Sequence, residues 1–302
     1  MPGVKHGGAG VLAGVGRSSR ELGIVVVLAG ALALFFLVAS SAAPVSATPR
    51  ALSLPSTRGE EPGPGFSIYL PLAQGPVPAS ECPTTSSAVY LAVPMHTPPT
   101  DRPAPQHGDL NLALRGYVPT TADLGLVDYD GETDSDPPQL PGLVRGSRVP
   151  GIASAYRVRE WDWGCGSDGC RGEPIDRPPV TLIGIAVNAG EQIYIPSRDA
   201  EVNRNASRAV VLYADSRRIT LKYTTDDNVV RGYAVHIEDV CVDPSLLSLY
   251  RDLDAHGRQR LPGLRNDDPL GTAPGSQIGV AVRDSGSFMD PRAKKDWWQI
   301  VR

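Results

Sequence analysis

Proline and glycine recur so often in this chain that long helices have little room to form. The 302 residues include 32 Gly and 29 Pro, which break helices and favour turns. Between them lie short runs rich in β-branched and aromatic residues, a pattern typical of an all-β sandwich or barrel. The sequence therefore predicts a mostly β fold, a single sandwich-like or barrel-like domain. The predicted strands cover residues 88–93, 110–117, 180–187, 193–196, 209–213, 218–223, 233–237 and 278–283.

One segment, residues 243–257, predicts an amphipathic helix. Asp243 suits the N-cap and Pro244 the first helical position, while Gly257 ends the run. Apolar residues at helical spacing share one face, which we expect to pack on the sheet. These residues are Leu246, Leu249, Tyr250 and Leu253.

The N-terminus predicts export from the cytoplasm. A positively charged start is followed by an uncharged apolar run over residues 22–38 and by Val45, Ser46 and Ala47, a small-x-small pattern that signal peptidase accepts. The apolar run is slightly shorter than the roughly 20 residues that a spanning helix needs. Residues 1–47 are therefore predicted to be either a cleaved signal peptide or a retained membrane anchor.

The remainder of the chain divides by composition. Residues 48–80 are rich in Pro, Gly, Ser and Ala, which predicts a disordered linker or stalk. Residues 81–177 are predicted to form an N-terminal β region, and residues 178–302 a second β domain. The formal net charge is −4 and no basic patch with interleaved aromatic residues occurs, which argues against a nucleic-acid partner.

All four cysteines lie beyond the export segment, where an oxidising compartment would pair them. Cys165 and Cys170 flank a short Gly-rich loop, which leaves Cys82 to pair with Cys241. The alternative is a metal site, but a zinc knuckle usually contains two close cysteine pairs and this chain has one. Two disulfides are therefore the preferred interpretation.

The C-terminal region contains a series of short motifs in a recognisable order. Residues 275–283 read as a glycine-turned hairpin and a strand that ends in Val-Arg, and an Asp-Pro pair at 290–291 precedes the tryptophans at 297–298. Upstream, residues 191–196 read Glu-Gln-Ile-Tyr-Ile-Pro. Over residues 178–298 this layout resembles the lysostaphin/LytM-type (M23) peptidase domain. The resemblance implies a lysostaphin-like β domain.

The resemblance also implies that the metal chemistry of that family is missing. The family binds zinc through a His and an Asp of one motif and the second His of a His-x-His pair, and a catalytic zinc needs three protein ligands. Where the His-x-His pair should stand, residues 277–280 read Gln-Ile-Gly-Val, and neither His-x-x-x-Asp nor His-Glu-x-x-His occurs. We therefore expect a non-catalytic relative without metal or other cofactor. The histidines outside the leader are His96, His107, His236 and His256.

Polar residues at the ends of two predicted strands are candidates for binding. His236 and Glu238 lie two residues apart, and hence on one face of a strand, where a functional interpretation makes them ligand or base. A strand histidine that is hydrogen-bonded to a neighbour is the simpler interpretation. Arg283 and Asp284 complete this group. The catalytic alternative is a hydrolase that combines His236 and Glu238 with Asp284 and Asp290.

Two polar loops have both a functional and a structural interpretation. Residues 107–109, His-Gly-Asp, lie near a site in one interpretation and form a turn before the strand predicted from residue 110 in the other. A second loop carries acidic side chains at every second position, which suits calcium. It departs from an EF-hand, since its glycine stands fourth and Gln139 twelfth, and a solvated loop is the alternative. The calcium candidates are Asp128, Asp130, Glu132 and Asp134.

Two tryptophans give the most specific binding prediction. Trp161 and Trp163 lie on the same face of an extended segment, beside the loop between Cys165 and Cys170. Exposed rings beside polar groups hold sugars in many exported modules, whereas buried rings fill a core. We expect an exported, non-catalytic module of the cell envelope that binds cell-wall glycan or another envelope protein. Beside the hydrolase, a purely structural surface protein is the remaining hypothesis.

Overall fold

The computed structural model of the chain describes residues 81–96, 101–146 and 148–300. The predicted leader at 1–47 and the predicted linker at 48–80 lie outside the described residues. No helix within the described part is both long and apolar enough to cross a membrane.

The described residues form a mostly β fold, as the sequence predicts. The strands found there are β1 (Leu91–Pro94), β2 (Tyr117–Pro119), β3 (Ile152–Asp162), β4 (Cys170–Pro174), β5 (Leu182–Ala186), β6 (Gln192–Ile193), β7 (Ala209–Ala214), β8 (Arg218–Lys222), β9 (Tyr233–Glu238), β10 (Cys241–Val242), β11 (Arg260–Leu264), β12 (Gly271–Thr272), β13 (Gln277–Asp284) and β14 (Ser287–Phe288).

One large antiparallel sheet organises these strands. Its order is β1-β11-β7-β8-β9-β13-β5-β3-β2, and β14 and β4 pair with β13 and β3 beside this path. The path begins at β1 and ends at β2, so the sheet is open rather than closed into a barrel. The strands β10, β12 and β6 form a second, smaller sheet. Strands from both predicted β regions share the large sheet, because β3 pairs with β5.

The predicted amphipathic helix is confirmed as α2 (Pro244–Ala255). The Asp243 carboxylate caps it by accepting hydrogen bonds from the backbone N–H groups of Ser245 and Leu246, at 2.9 and 3.1 Å. Leu246 and Tyr250 are buried, so the apolar face of the helix packs into the core. Two single-turn helices, α1 (Leu112–Arg115) and α3 (Lys294–Trp297), accompany it, with short 3-10 helices at Ala104–Gln106 and Leu140–Leu143.

Strand alternation gives the sheet two chemically different faces. In β9, Val235 and Ile237 enter the main hydrophobic core, which also holds Trp297 and Trp298. Between them His236 points to the opposite face, since successive side chains in a strand alternate. That face has only a small apolar cluster, to which α1, β3, β5, β13 and β14 contribute. Around His236 this face also carries Thr220, Glu238 and Arg283, and we call it the polar face.

The strand predicted over residues 110–117 is wrong. Its apolar residues alternate with a period of two, but residues 112–115 form α1 instead. Asn111 explains the difference, because its side-chain oxygen accepts a hydrogen bond from the backbone N–H of Ala113 at 3.2 Å and caps the helix. Gly116, with a φ of +66°, then turns the chain into β2. The local cap outweighs the alternating pattern.

Both predicted disulfides are present. Cys82 pairs with Cys241, and Cys165 pairs with Cys170. The first joins the start of the described chain to β10 across 159 residues of sequence, while the second closes the short loop between β3 and β4. Two disulfides without a free cysteine suit an oxidising compartment.

Candidate functional site

Several of the predicted binding residues come together around one segment, residues 107–115, that lies on the polar face of the sheet. The carbonyl oxygen of Leu110 accepts a hydrogen bond from Thr220 in β8, and Asp109 pairs with Arg283 in β13. Gly108 lies against the ring of Trp161 at the end of β3. The strands β3, β8 and β13 are far apart in sequence, so only the folded sheet gathers their side chains here.

Asp109 forms the charged centre of this segment. Its Oδ1 accepts from Arg115 Nη2 at 2.6 Å and from Arg283 Nη1 at 2.8 Å, and all three side chains are largely buried. Although burial by itself would raise the pKa of the Asp109 carboxyl, the two guanidinium groups hold it below its ordinary value. Asp109 is therefore ionised, and Arg283 has a structural role as the partner of a buried carboxylate.

His236 lies beside this ion cluster and is completely buried in a defined tautomer. The Thr220 hydroxyl donates to the Leu110 carbonyl at 2.6 Å, so it must accept from His236 Nδ1–H at 2.9 Å. Burial, and then the charges of Arg283 and Arg115, hold the His236 pKa well below its ordinary value. The ring is thus neutral, and its Nε2 has no hydrogen-bond partner among the described residues.

Glu238 shares the polar face with His236 but has a different partner. Its carboxylate pairs with Arg218 Nε at 3.1 Å, and Arg218 also reaches Asp215 at 2.7 Å. Burial is the main cause that raises the Glu238 pKa to about 7, against the opposing charge of Arg218. The structure therefore places the His236–Glu238 pair on one face, as predicted, without joining the two in a hydrogen bond.

The two carboxylates of the hydrolase hypothesis are engaged separately. Asp284 is half-buried at the end of β13 and accepts a hydrogen bond from the Ser285 hydroxyl at 3.1 Å. Asp290 is buried against Arg292, whose Nη2 lies 2.7 Å from its Oδ2. Neither forms a hydrogen bond or ion pair with His236 or Glu238 in the described part of the chain, so no acid–base pair is assembled there.

Trp161 is fixed at the rim of the site by close packing against glycine. A Cβ added at Gly108 would come within 2.6 Å of the Trp161 indole, and one at Gly169 would overlap the same ring. The indole N–H donates to the Asp168 carbonyl at 3.3 Å, inside the loop that the Cys165–Cys170 disulfide closes. Trp161 is thus a support whose position depends on that loop.

Trp163 is the exposed ring of the pair, with 40% of its surface accessible. Its ring meets Trp161 edge to face at 6.1 Å and His107 at 4.9 Å, and the Arg102 guanidinium lies 4.7 Å from its centroid. Trp161, Trp163 and His107 together form what we call the aromatic platform. Unlike the buried Trp297 and Trp298, it offers an aromatic surface to solvent.

His107 links the aromatic platform to the ion cluster. Its Nδ1 accepts a hydrogen bond from the Asp109 backbone N–H at 3.1 Å, and its Nε2 lies 3.9 Å from Asp101. Burial lowers the His107 pKa despite the nearby carboxylates of Asp109 and Asp101. The imidazole is therefore predominantly neutral at pH 7 and presents an Nε2–H toward Asp101.

Metal binding is not supported by the placement of the described side chains. No group of three His, Cys, Asp or Glu side chains among them is positioned to hold an ion, so the residues do not fit a zinc site of the M23 type. In the acidic loop, Lys295 Nζ donates to the carbonyls of Asp130 and Glu132, at 2.9 and 2.6 Å. Lys295 is thus hydrogen-bonded to backbone carbonyl oxygens of the loop that carries the calcium candidates Asp128, Asp130, Glu132 and Asp134.

Comparison with known protein families, with curated proteins and with solved structures finds no match. The likeness to the lysostaphin-like domain therefore stays a prediction from the sequence motifs. The candidate site is characterised by its own chemistry, namely the aromatic platform and the charged segment beside it.

Two contributors to the site, Arg102 and Arg115, were not predicted from the sequence. The His-Gly-Asp motif at 107–109 was predicted either to lie near a site or to form a turn. Nothing nearby in sequence identifies the partners of this motif, because Asp109 pairs with Arg283 across 174 residues and Gly108 packs on Trp161 in β3. Only the tertiary fold reveals these contacts.

Proposed function

We propose that this protein is an exported, non-catalytic module of the cell envelope that binds glycan through the aromatic platform. The observation that carries the proposal is the Trp163 ring, which is 40% exposed yet held in place by His107, Trp161 and Arg102. A rigid exposed ring binds a partner with little loss of conformational entropy. That property favours a binding role over a purely structural one.

The surroundings of Trp163 favour a sugar over a purely apolar ligand. Exposed carboxylates of Asp101 and Asp162 lie close by, together with the guanidinium of Arg102 and the imidazole of His107. Sugar rings combine an apolar face, which stacks on an aromatic ring, with hydroxyl groups that need charged or polar partners at the edge. The aromatic platform supplies both kinds of contact.

The cellular setting of the proposal rests on the cysteines and the N-terminal sequence. Two disulfides favour an oxidising compartment, and the charged start and apolar run at residues 1–47 favour export. The absence of the M23 zinc motifs from the sequence supports a binding role without peptidase chemistry. Cell-wall glycan is a ligand that an exported binding protein with these features would meet.

Calorimetric titration with a soluble chitooligosaccharide and with solubilised peptidoglycan strands tests the proposal. We expect wild-type protein to bind at least one of them, and Trp163→Ala to weaken that binding by about tenfold, the effect of roughly 1.4 kcal/mol of lost stacking. Trp163→Phe retains a ring and should retain part of the affinity. Unchanged binding by Trp163→Ala would overturn the proposal.

A matched control separates the aromatic platform from general surface effects. Val89 is 79% exposed and precedes β1, at the end of the sheet order opposite to β3 and β2. Val89→Ala should therefore bind glycan like wild type. If both variants weaken binding equally, the loss reflects the whole surface and not the aromatic platform.

A further inference from the structure

A second site of different chemistry lies beneath Tyr129, away from the aromatic platform. It is a cavity of about 240 Å³. Drug-sized ligands occupy pockets of roughly 300–1,000 Å³, so this cavity suits a single side chain better than a whole small molecule. Its apolar lining comes from Pro178, Met289, Ala293 and Trp297, and its polar lining from Asp290, Lys295 and Asp296.

The floor of the cavity is apolar because the polar atom of its tryptophan is already satisfied. Trp297 is fully buried, and its indole N–H donates to the Asp290 carbonyl at 3.0 Å. Carbon atoms of the Trp297 ring, Met289 and Ala293 thus line the cavity. An apolar group that enters would be removed from water against these carbon atoms.

A tethered tyrosine contributes to the lining of the cavity. Tyr129 is 40% exposed, and its hydroxyl donates to Asp290 Oδ2 at 2.7 Å. Asp290 is in turn fixed by Arg292. Burial, together with the hydrogen bond to Asp290, raises the Tyr129 pKa to about 12, so the hydroxyl stays protonated and remains a donor to Asp290.

The rim of the cavity is negatively charged. The acidic loop that contains Tyr129 exposes Asp128, Asp130 and Glu132, whose carboxylates form no ion pair with another described residue. Lys295, which lines the cavity, fastens this loop to α3 through the carbonyls of Asp130 and Glu132. A ligand that fills the cavity therefore lies next to the exposed carboxylates of the loop that carries Tyr129.

We propose that this cavity is a docking site for a basic peptide segment that inserts one apolar side chain. The apolar walls provide the anchor pocket, and the acidic loop attracts lysine or arginine residues that flank the anchor. This site is independent of glycan binding, because it shares no residue with the aromatic platform.

Fluorescence anisotropy with labelled pentapeptides tests the proposal on the exported chain. Lys-Lys-Leu-Lys-Lys should bind about tenfold more tightly than Lys-Lys-Ser-Lys-Lys, a difference of about 1.4 kcal/mol, because the leucine side chain is removed from water. Raising the salt concentration should weaken both peptides, since exposed charges are screened. Glu-Glu-Leu-Glu-Glu should not bind measurably. Equal affinity for the leucine and serine peptides in the wild type would overturn the proposal.

Variants of the chain assign the binding to this cavity. The double variant Asp130→Asn, Glu132→Gln changes exposed side chains only and should weaken the leucine peptide several-fold at low salt. Ala293→Leu should fill the cavity and abolish the difference between the leucine and serine peptides, with near-ultraviolet circular dichroism as the check of folding. Trp163→Ala should leave peptide binding unchanged. Unaltered peptide binding in the charge variant would also contradict the proposal, even if Ala293→Leu does not fold.

Discussion

At the residue scale, two buried titratable groups on the polar face of the sheet, Glu238 and His236, have opposite effects on stability. Glu238 has a pKa raised to about 7, mainly by burial. His236 has a pKa held well below its ordinary value, again mainly by burial. Folding therefore favours the protonated form of Glu238 and the neutral form of His236. The contributions of the two groups to the free energy of unfolding change in opposite directions with pH.

Glu238 makes the protein lose stability as pH rises toward neutrality. Its pKa rises from an ordinary 4.5 to about 7 on folding, so the folded state binds more protons than the unfolded state between those values. The free energy of unfolding should fall by about 3 kcal/mol across this interval on account of this group. Glu238→Gln should remove that component in urea titrations at several pH values. A Gln variant with the same pH dependence as wild type would contradict the assignment.

His236 makes the protein gain stability as pH rises, because in the unfolded state it binds a proton below pH 6.5 that its folded form does not accept.

Thr220→Val should destabilise the fold, since it leaves His236 Nδ1–H and the Leu110 carbonyl without a partner. We expect a cost of roughly 1–3 kcal/mol for each buried group left unsatisfied. Thr220→Ser retains the hydroxyl and is the control. Equal unfolding midpoints for Val and Ser would contradict the hydrogen-bond chain.

At the scale of elements, the two disulfides should have separate effects on stability and on binding. Replacing Cys82 and Cys241 by serine opens a loop of 159 residues and should lower the free energy of unfolding by about 5 kcal/mol on the loop-entropy account. Replacing Cys165 and Cys170 opens a loop with a separation of 5 residues and should cost only about 2 kcal/mol. Denaturant titrations measure both values.

The short loop should matter more for ligand binding. Because Trp161 packs on Gly169 inside that loop, loss of the Cys165–Cys170 disulfide should weaken glycan binding beyond its small effect on stability. Loss of the Cys82–Cys241 disulfide should leave glycan affinity unchanged under conditions where the protein is folded. If loss of the Cys82–Cys241 disulfide weakened glycan binding and loss of the Cys165–Cys170 disulfide did not, the β3–β4 loop would not be what positions the aromatic platform.

Sequence patterns predicted the elements whose signals are local. The cap and apolar stripe of α2, and the β-branched runs of β7, β8, β9 and β13, are contained within their own residues. The strand predicted over 110–117 failed because Asn111 caps a helical turn there. The long strand β3 was missed because it carries charged residues at several positions. It is defined by its pairing with β2 and β5, which its own sequence does not indicate.

At the scale of the whole molecule, the open sheet separates a large core from a polar face. The tryptophans Trp161 and Trp163 were predicted from local sequence, and so was their place beside the disulfide loop. The ion pair between Asp109 and Arg283 was not predicted, because the two residues are 174 positions apart in sequence. A single sequence specifies such residue types but not the strand order that brings them together.

The proposed role of Trp163 as a glycan-binding surface is tested most directly by two-dimensional nuclear magnetic resonance of the tryptophan indole N–H groups. The chain has four tryptophans, of which Trp297 and Trp298 are buried. On titration with a chitooligosaccharide or peptidoglycan strands, the signals of Trp163 and Trp161 should shift in a saturable way while those of Trp297 and Trp298 stay in place. Saturable binding that leaves the Trp163 signal unmoved, or no binding of either glycan, would contradict the account.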